Sequence, residues 1–290
     1  MTTTEGTGRQ DTSALTPAQM WDAVGPAWER GAAFVEHRAG RLTSWMLAAA
    51  EVASGDEVLD VGCGPGGAGL AAAERVGPTG RVVLSDVSPE MARIAAGQAA
   101  ARGLTWAHGD VVDASDLDAE PGEQYDAVLS RDGVQFAADP HRAFGGMFHV
   151  LKPGGRLAVA VWGTPQENPW LGLIMRAATE VLGRPVAPPG ARGPFSLADR
   201  AELSGLLRGA GFTEVRLEEM AAPMRPPSLQ DWVNRAASLS GPIAALARTV
   251  PGEVMDRINA PAMELATPFV TDDGLALPGL AVLASARRPA

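Results

Sequence analysis

Between Val58 and Gly67 the chain reads Val-Leu-Asp-Val-Gly-Cys-Gly-Pro-Gly-Gly, an apolar run that ends in a carboxylate and passes directly into glycines. A short apolar run bounded in this way is a buried parallel strand, the glycines are a sharp turn, and the alanine-rich Ala68 to Val76 is the helix that follows. Gly62, Gly64 and Gly66 carry no Cβ, so the turn can take positive φ and bring bare backbone against a bound molecule. Strand, glycine turn and helix in that order commit the chain to an open α/β sheet with a cofactor held at the turn.

The spacing alone leaves the cofactor open, because Gly62, Gly64 and Gly67 also satisfy the dinucleotide fingerprint G-x-G-x-x-G. Asp60 discriminates. A carboxylate two residues before the first glycine repels a pyrophosphate and attracts the ammonium of a methionine moiety. Asp60, Gly62, Gly64 and Gly66 match, position by position, the first motif of the class I S-adenosylmethionine-dependent methyltransferases, which this segment resembles. The likeness is to the small-molecule type, similar to the methyltransferases of ubiquinone and menaquinone biosynthesis. It implies a Rossmann-like α/β fold with a seven-stranded, mostly parallel sheet in the order 3-2-1-4-5-7-6 and helices on both faces. It also implies S-adenosyl-L-methionine as cofactor.

The second strand, Arg81 to Ser85, delivers Asp86, whose two oxygens match the spacing of ribose hydroxyls, with Val87 beside it. Ser88-Pro89-Glu90 starts a helix running to about Arg102. Met91, one turn in, lies against adenine by resemblance or is plain core. The third strand, Leu104 to His108, ends in Gly109-Asp110-Val111, where the resemblance has Asp110 accept from the adenine amino group and Val111 offer backbone to the ring. Cys63 in the glycine turn, and Ser130 and Arg131 where the fourth strand (Tyr125 to Ser130) ends, complete the cofactor set. In the resembling relatives the next residues read Arg-Phe-Gly and then apolar; here Asp132 and Gln135 are polar. They meet a polar methyl acceptor or face water. His141, at a helix N-terminus that disfavours its charged form, is a base if it reaches the pocket. His141, Gln135 and Asp132 are thus the catalytic candidates. Lys152 and His149 read as structural.

Around this core the sequence divides into a polar tail over 1–14, a helical cap over 15–55, core segments 56–222 and 275–290, and a lid insertion over 223–274. Gly25-Pro26 and Gly31 break the cap pattern into two or three short helices. Trp28 closes over the methionine end by resemblance or is core. A segment longer than fifty residues between the last two strands (Thr213 to Glu219 and Gly279 to Arg287) needs a role of its own. Helices near Gln230–Leu239, Pro242–Thr249 and Glu253–Thr267 make it a lid, with Met220, Met224, Trp232, Met255 and Met263 available to line the acceptor pocket.

A formal net charge of −10 repels polyanions, so no nucleic-acid partner is expected. No apolar run reaches the roughly eighteen residues of a membrane helix, and the start carries neither a basic n-region nor an apolar h-region. Cys63 is the single cysteine, which excludes an internal disulfide and any cysteine-built metal site and suits the cytoplasm. No metal is expected, and the chain is read as a monomer or homodimer acting on a small molecule in a bacterial biosynthetic pathway, specialised or quinone-like. Methyl transfer from a sulfonium needs in-line positioning and exclusion of water; a base helps only a hydroxyl or a cationic amine acceptor. A nicotinamide oxidoreductase is opposed by Asp60. A nucleic-acid methyltransferase is opposed by charge and by Ser-Arg-Asp at the fourth strand's end, Asn168-Pro169-Trp170 lying after the wrong strand. A pericyclase-like catalyst or binding module on the same fold stays open.

Overall fold

The computed structural model describes residues 16–119, 124–186 and 192–290; the expected tail over 1–14 lies outside them. The strands are β1 (Glu57–Val61), β2 (Arg81–Asp86), β3 (Ala107–Val111), β4 (Tyr125–Arg131), β5 (Leu151–Trp162), β6 (Thr213–Ala221), the two-residue partners β7 (Val270–Thr271) and β8 (Gly274–Leu275), and β9 (Leu280–Arg287). The helices are α1 (Pro17–Ala49), α2 (Gly67–Val76), α3 (Pro89–Ala101), α4 (Pro140–Val150), α5 (Pro169–Leu182), α6 (Arg200–Gly209), α7 (Leu229–Leu239), α8 (Gly241–Thr249) and α9 (Gly252–Ala266).

Seven strands form one sheet in the order β3-β2-β1-β4-β5-β9-β6, the expected order once the small β7-β8 hairpin is counted. The last strand inserts antiparallel between β5 and β6, and the β1 to β5 pairings are parallel. Successive strand residues point to opposite faces. Val58, Leu84, Leu129 and Leu283 pack with Leu42, Met46 and Leu70 from α1 and α2. Leu59, Val128, Leu157 and Val282 pack with Phe144, Met147, Leu203 and Leu207 from α4 and α6. The near-continuous apolar runs of the central strands are thereby covered on both sides.

The cap departs from expectation: α1 is a single helix of 33 residues, opened by a capping box between Thr16 and Gln19 and carrying Pro26 inside it. Gly25 is a contact residue and no break. A Cβ there would come within 2.7 Å of Glu90 Cγ on α3, so the missing side chain lets two helices approach closely. The helix buries Val24, Val35, Ala39, Leu42 and Met46 along its length, and that packing outweighs the hydrogen bond lost at proline. β3 begins at Ala107 where Leu104 was expected.

The segment expected as a lid has its own core. Trp232, Ile243, Met255, Ile258 and Ala262 from α7, α8 and α9 pack with Leu171 and Ile174 of α5, so α5 joins the insertion in packing. Met255 and Met263 are consumed in that core and Met220 packs on the sheet, whereas Met224 and Trp232 face the cavity below.

Asn168, which precedes α5, fastens this layer to the sheet. Its Oδ1 accepts from Leu280 N–H at 3.0 Å and Trp170 Nε1–H at 3.0 Å, and its Nδ2 donates to the carbonyls of Leu280 at 3.0 Å and Thr164 at 3.2 Å. The fully buried amide is completely satisfied, so Asn168-Pro169-Trp170 is a structural joint. Asn168→Ala strands several buried polar groups at once and is expected to destabilise the protein by about 3 kcal/mol, read from the midpoint of urea unfolding.

Candidate active site

At the carboxyl end of β1 the chain takes positive φ at Gly62 (68°), Gly64 (54°) and Gly66 (100°). A Cβ on Gly62 would sit 2.8 Å from Gly133 Cα, so the turn after β1 and the turn after β4 touch backbone to backbone. Gly62, Cys63 and Gly64 floor a cavity whose sides include Asp86, Val87, Met91, Arg131, Asp132 and Gln135. Gly66 lies off the wall as the left-handed N-cap of α2, where it shapes the turn.

Two carboxylates hold this floor. Asp86 accepts Gly64 N–H on Oδ2 at 2.9 Å and Ser88 N–H on Oδ1 at 2.9 Å, coupling the glycine turn to the start of α3. Asp60 stands behind the turn and does not line the cavity. Its Oδ2 accepts Gly69 N–H of α2 at 2.7 Å, and its buried Oδ1 has no partner. Burial pushes the Asp60 carboxyl up to about 7, opposed by the nearby Arg131 guanidinium. Burial likewise lifts Asp86 to about 6, against the hydrogen bonds from Ser88 and Gly64.

The turn after β4 supplies both polar departures from the apolar pattern. Asp132 adopts a left-handed φ of 59° with Oδ1 buried and unpartnered, and desolvation raises its carboxyl to about 6. Gln135 is 1% exposed; its Oε1 accepts Trp162 N–H at 3.1 Å and its Nε2 has no partner. Both residues line the cavity.

Several expected site residues stand elsewhere. His141 is exposed and off the cavity wall, because the face of α4 that turns inward carries Ala143, Phe144 and Met147. Ser130 is fully buried and spent on the backbone: its Oγ donates to the Val61 carbonyl at 2.8 Å and accepts Val134 N–H at 3.1 Å. Gly109, Asp110 and Val111 also lie off the wall. Asp110 is exposed and accepts the Val111 N–H at 2.8 Å, and Val111 is 52% exposed. The pairing of Asp86 with Val111, followed by the Val112 N–H bond to the Asp86 carbonyl at 3.0 Å, carries the chain across the pocket one residue later. Val112, Asp113 and Ala114 are the wall there.

Helix α1 contributes Glu36, Arg38 and Thr43, which no sequence motif marks. Arg131 is held by Glu36 at 2.5 and 2.9 Å and by Thr43 Oγ1 at 2.6 Å. Arg38 enters the cavity with its guanidinium 4.3 Å from the Trp162 ring centroid and 5.1 Å from that of Trp170. The available signal was its position: Arg38 falls three residues after Val35 and four before Leu42, inside the buried stripe of the helix. The roof is closed by Trp28 Nε1–H donating to the Leu239 carbonyl at 2.9 Å, by the Arg248 guanidinium on the Ala23 carbonyl, and by Arg235 stacked 4.0 Å over Phe34. Among the described residues no group of acidic, histidine or cysteine side chains could hold a metal ion, and no helix is long and apolar enough to cross a membrane.

A methyltransferase domain model matches residues 53–183, the span that builds the floor and β1 to β5. The ubiquinone/menaquinone biosynthesis C-methyltransferase of Bordetella parapertussis is 30% identical over 196 residues, covering 62% of this chain and 72% of that protein. An uncharacterized protein of Mycobacterium tuberculosis is 32% identical over 210 residues, 72% of this chain and 70% of its own length. In fold, the chain resembles phosphoethanolamine N-methyltransferase 2 of Haemonchus contortus, solved with S-adenosyl-L-methionine. The TM-score is 0.58 at 17% identity, over 96% of this chain and 61% of that one. The residues here fit such a cofactor: Gly62 and Gly64 line the cavity with bare backbone at positive φ, and the buried acids Asp60 and Asp86 suit a ligand whose amino-acid end is cationic. A glycine cradle at this point of a sheet in this order, matched over the same residues by the domain and over most of a quinone methyltransferase's length, makes the chain a member of the class I S-adenosylmethionine-dependent methyltransferases.

Proposed function

We propose that the chain methylates a small, flat, mainly apolar acceptor bound between the glycine floor and the helical lid. The carrying observation is the cavity's aromatic wall. Five of the seven tryptophans (Trp21, Trp28, Trp162, Trp170 and Trp232) line it, with Phe34 and Phe136. Rings at that density favour a planar ligand and exclude water. Similarity to two quinone-pathway methyltransferases, the Bordetella enzyme and the chloroplastic 2-phytyl-1,4-beta-naphthoquinone methyltransferase of Arabidopsis thaliana, supports an acceptor of that shape.

When bound, S-adenosylmethionine supplies a methyl carbon activated by a sulfonium, open to in-line displacement. The chain's own part is to position and to dry the site. In this reading the backbone of Gly62 to Gly64 carries the donor, Asp86 accepts from its ribose, and Val87 and Met91 flank the base. Asp60 and Arg131 set the field at the amino-acid end from beneath the turn. Helix α1 is the cap, and 223–274 together with α5 is the lid, drawn onto the cap through Trp28 and Leu239. Asp132 and Gln135 contact the acceptor.

Labelled S-adenosylmethionine offered with small planar hydroxylated acceptors tests the reading; heat with NAD and none with S-adenosylhomocysteine would overturn it. Asp86→Ala removes an anchor of the floor and is expected to weaken S-adenosylhomocysteine about a hundredfold by calorimetry. Gln135→Leu is expected to lower turnover with that affinity retained, whereas His141→Ala leaves both unchanged.

The buried acids also set a pH dependence. Asp60, Asp86 and Asp132 start from 3.8 in the unfolded chain and reach about 7, 6 and 6 when folded. Between those values the folded protein holds more protons, so raising the pH removes stability. The melting temperature of the free protein is therefore expected to fall from about pH 5 to pH 8, and Asp60→Asn to flatten that slope. Affinity for the cationic donor is expected to rise over the same interval as the acids ionise.

A further inference from the structure

Three arginines line the cavity, and two are neutralised within the protein: Arg131 by Glu36 at 2.5 Å and Arg235 by Asp231 at 2.5 Å. Arg38 is different. Among the described residues it makes no hydrogen bond or ion pair, and its Nε and Nη1 are shut off from solvent. Burial lowers it to about 10, the largest influence on it, with Asp132 acting the other way. An unpaired guanidinium in such a place is costly, and the cost is relieved by an anion. Trp162 and Trp170 fix the plane of the group without satisfying any of its donors.

Gln135, which lines the same cavity, carries a second unused donor. The Oε1 of Gln135 must accept the Trp162 N–H, which fixes the amide's orientation and leaves Nε2 as an unused donor with the residue 1% exposed. Asp132 of the same lining carries an unused acceptor, its buried Oδ1. Helix α1, the turn after β4 and the end of β5 thus bring two orphan donors and one orphan acceptor to a single aromatic cavity.

We infer that the acceptor carries an ionised planar oxygen, carboxylate or phenolate, seated on Arg38 and Gln135, with Asp132 accepting a neighbouring hydroxyl. The assignment rests on the methyltransferase reading and narrows its substrate class. A guanidinium fork matches a flat oxyanion in geometry as well as charge, which an ammonium would not. It makes Arg38 a specificity residue with no part in holding the donor.

The test separates the two layers. Calorimetry with S-adenosylhomocysteine comes first, and failure there sinks the methyltransferase reading itself. With S-adenosylhomocysteine bound, tryptophan fluorescence is followed on adding salicylate against neutral salicylamide, and para-nitrophenolate against neutral para-nitroanisole. At least one anion is expected to bind about tenfold more tightly than its neutral counterpart. Preference within the first pair identifies a carboxylate site, and within the second a phenolate site. Arg38→Met is expected to erase the preference with S-adenosylhomocysteine affinity unchanged, and Arg38→Lys to restore part of it. Equal binding of anion and neutral probe by the unaltered protein, or a preference that survives Arg38→Met, overturns the assignment. Should Arg38→Met fail to fold, the probe pairs on the unaltered protein and on Arg38→Lys still decide.

Discussion

The contact on which the site depends is backbone against backbone: Gly62 after β1 and Gly133 after β4 approach so closely that a Cβ on either would stand 2.8 or 2.9 Å from the other's Cα. These are the turns at the carboxyl ends of adjacent parallel strands, where an open α/β sheet leaves a crevice. Because neither turn has a side chain at the point of contact, the crevice floor is peptide, and what projects above it comes from the neighbouring positions. Cys63 and Gly64 on one side and Asp132 and Gln135 on the other are displayed by that packing.

Buried charge is arranged around this contact in layers. Asp60 and Asp86 sit below and beside the floor, each tied to α2 or α3 by backbone N–H groups, and their raised pKa values express the work of keeping carboxylates out of water. Arg131 is consumed by Glu36 and Thr43, which fastens α1 to the end of β4. Above that layer Arg38, stacked on Trp162 and Trp170, makes no hydrogen bond or ion pair among the described residues. The lower charges hold the protein together; the upper one is free to meet a ligand.

Helix α1 and the helices that follow β6 enclose the cavity. Helix α1 packs on the sheet and α7 to α9 share a core with α5; the two parts meet through Val24 against Ala244, Phe34 under Arg235, Trp28 Nε1–H on the Leu239 carbonyl and Arg248 on the Ala23 carbonyl.

The sequence by itself determined the central strands, the glycine turn and the acids at the ends of β1 and β2, because these follow from local patterns: apolar runs of strand length, residues without Cβ, and carboxylates at fixed offsets; the strand order came only as what the family resemblance implies. It also marked Asp132 and Gln135 as polar where the pattern is apolar. Only the tertiary structure decided which side chains reach the ligand space. His141 and Asp110 stand at the right sequence distance yet face solvent, since helix rotation and strand register set direction, and one residue of register exchanges inside for outside. Asp60 proved to lie behind the turn for the same reason. Gly25 and Pro26 carry local breaking signals, which the buried stripe of α1 overrode. Arg38 had no partner in sequence to announce it: its meaning comes from Trp162, Trp170 and Gln135, more than ninety residues away along the chain, and such juxtaposition exists only once the chain has folded.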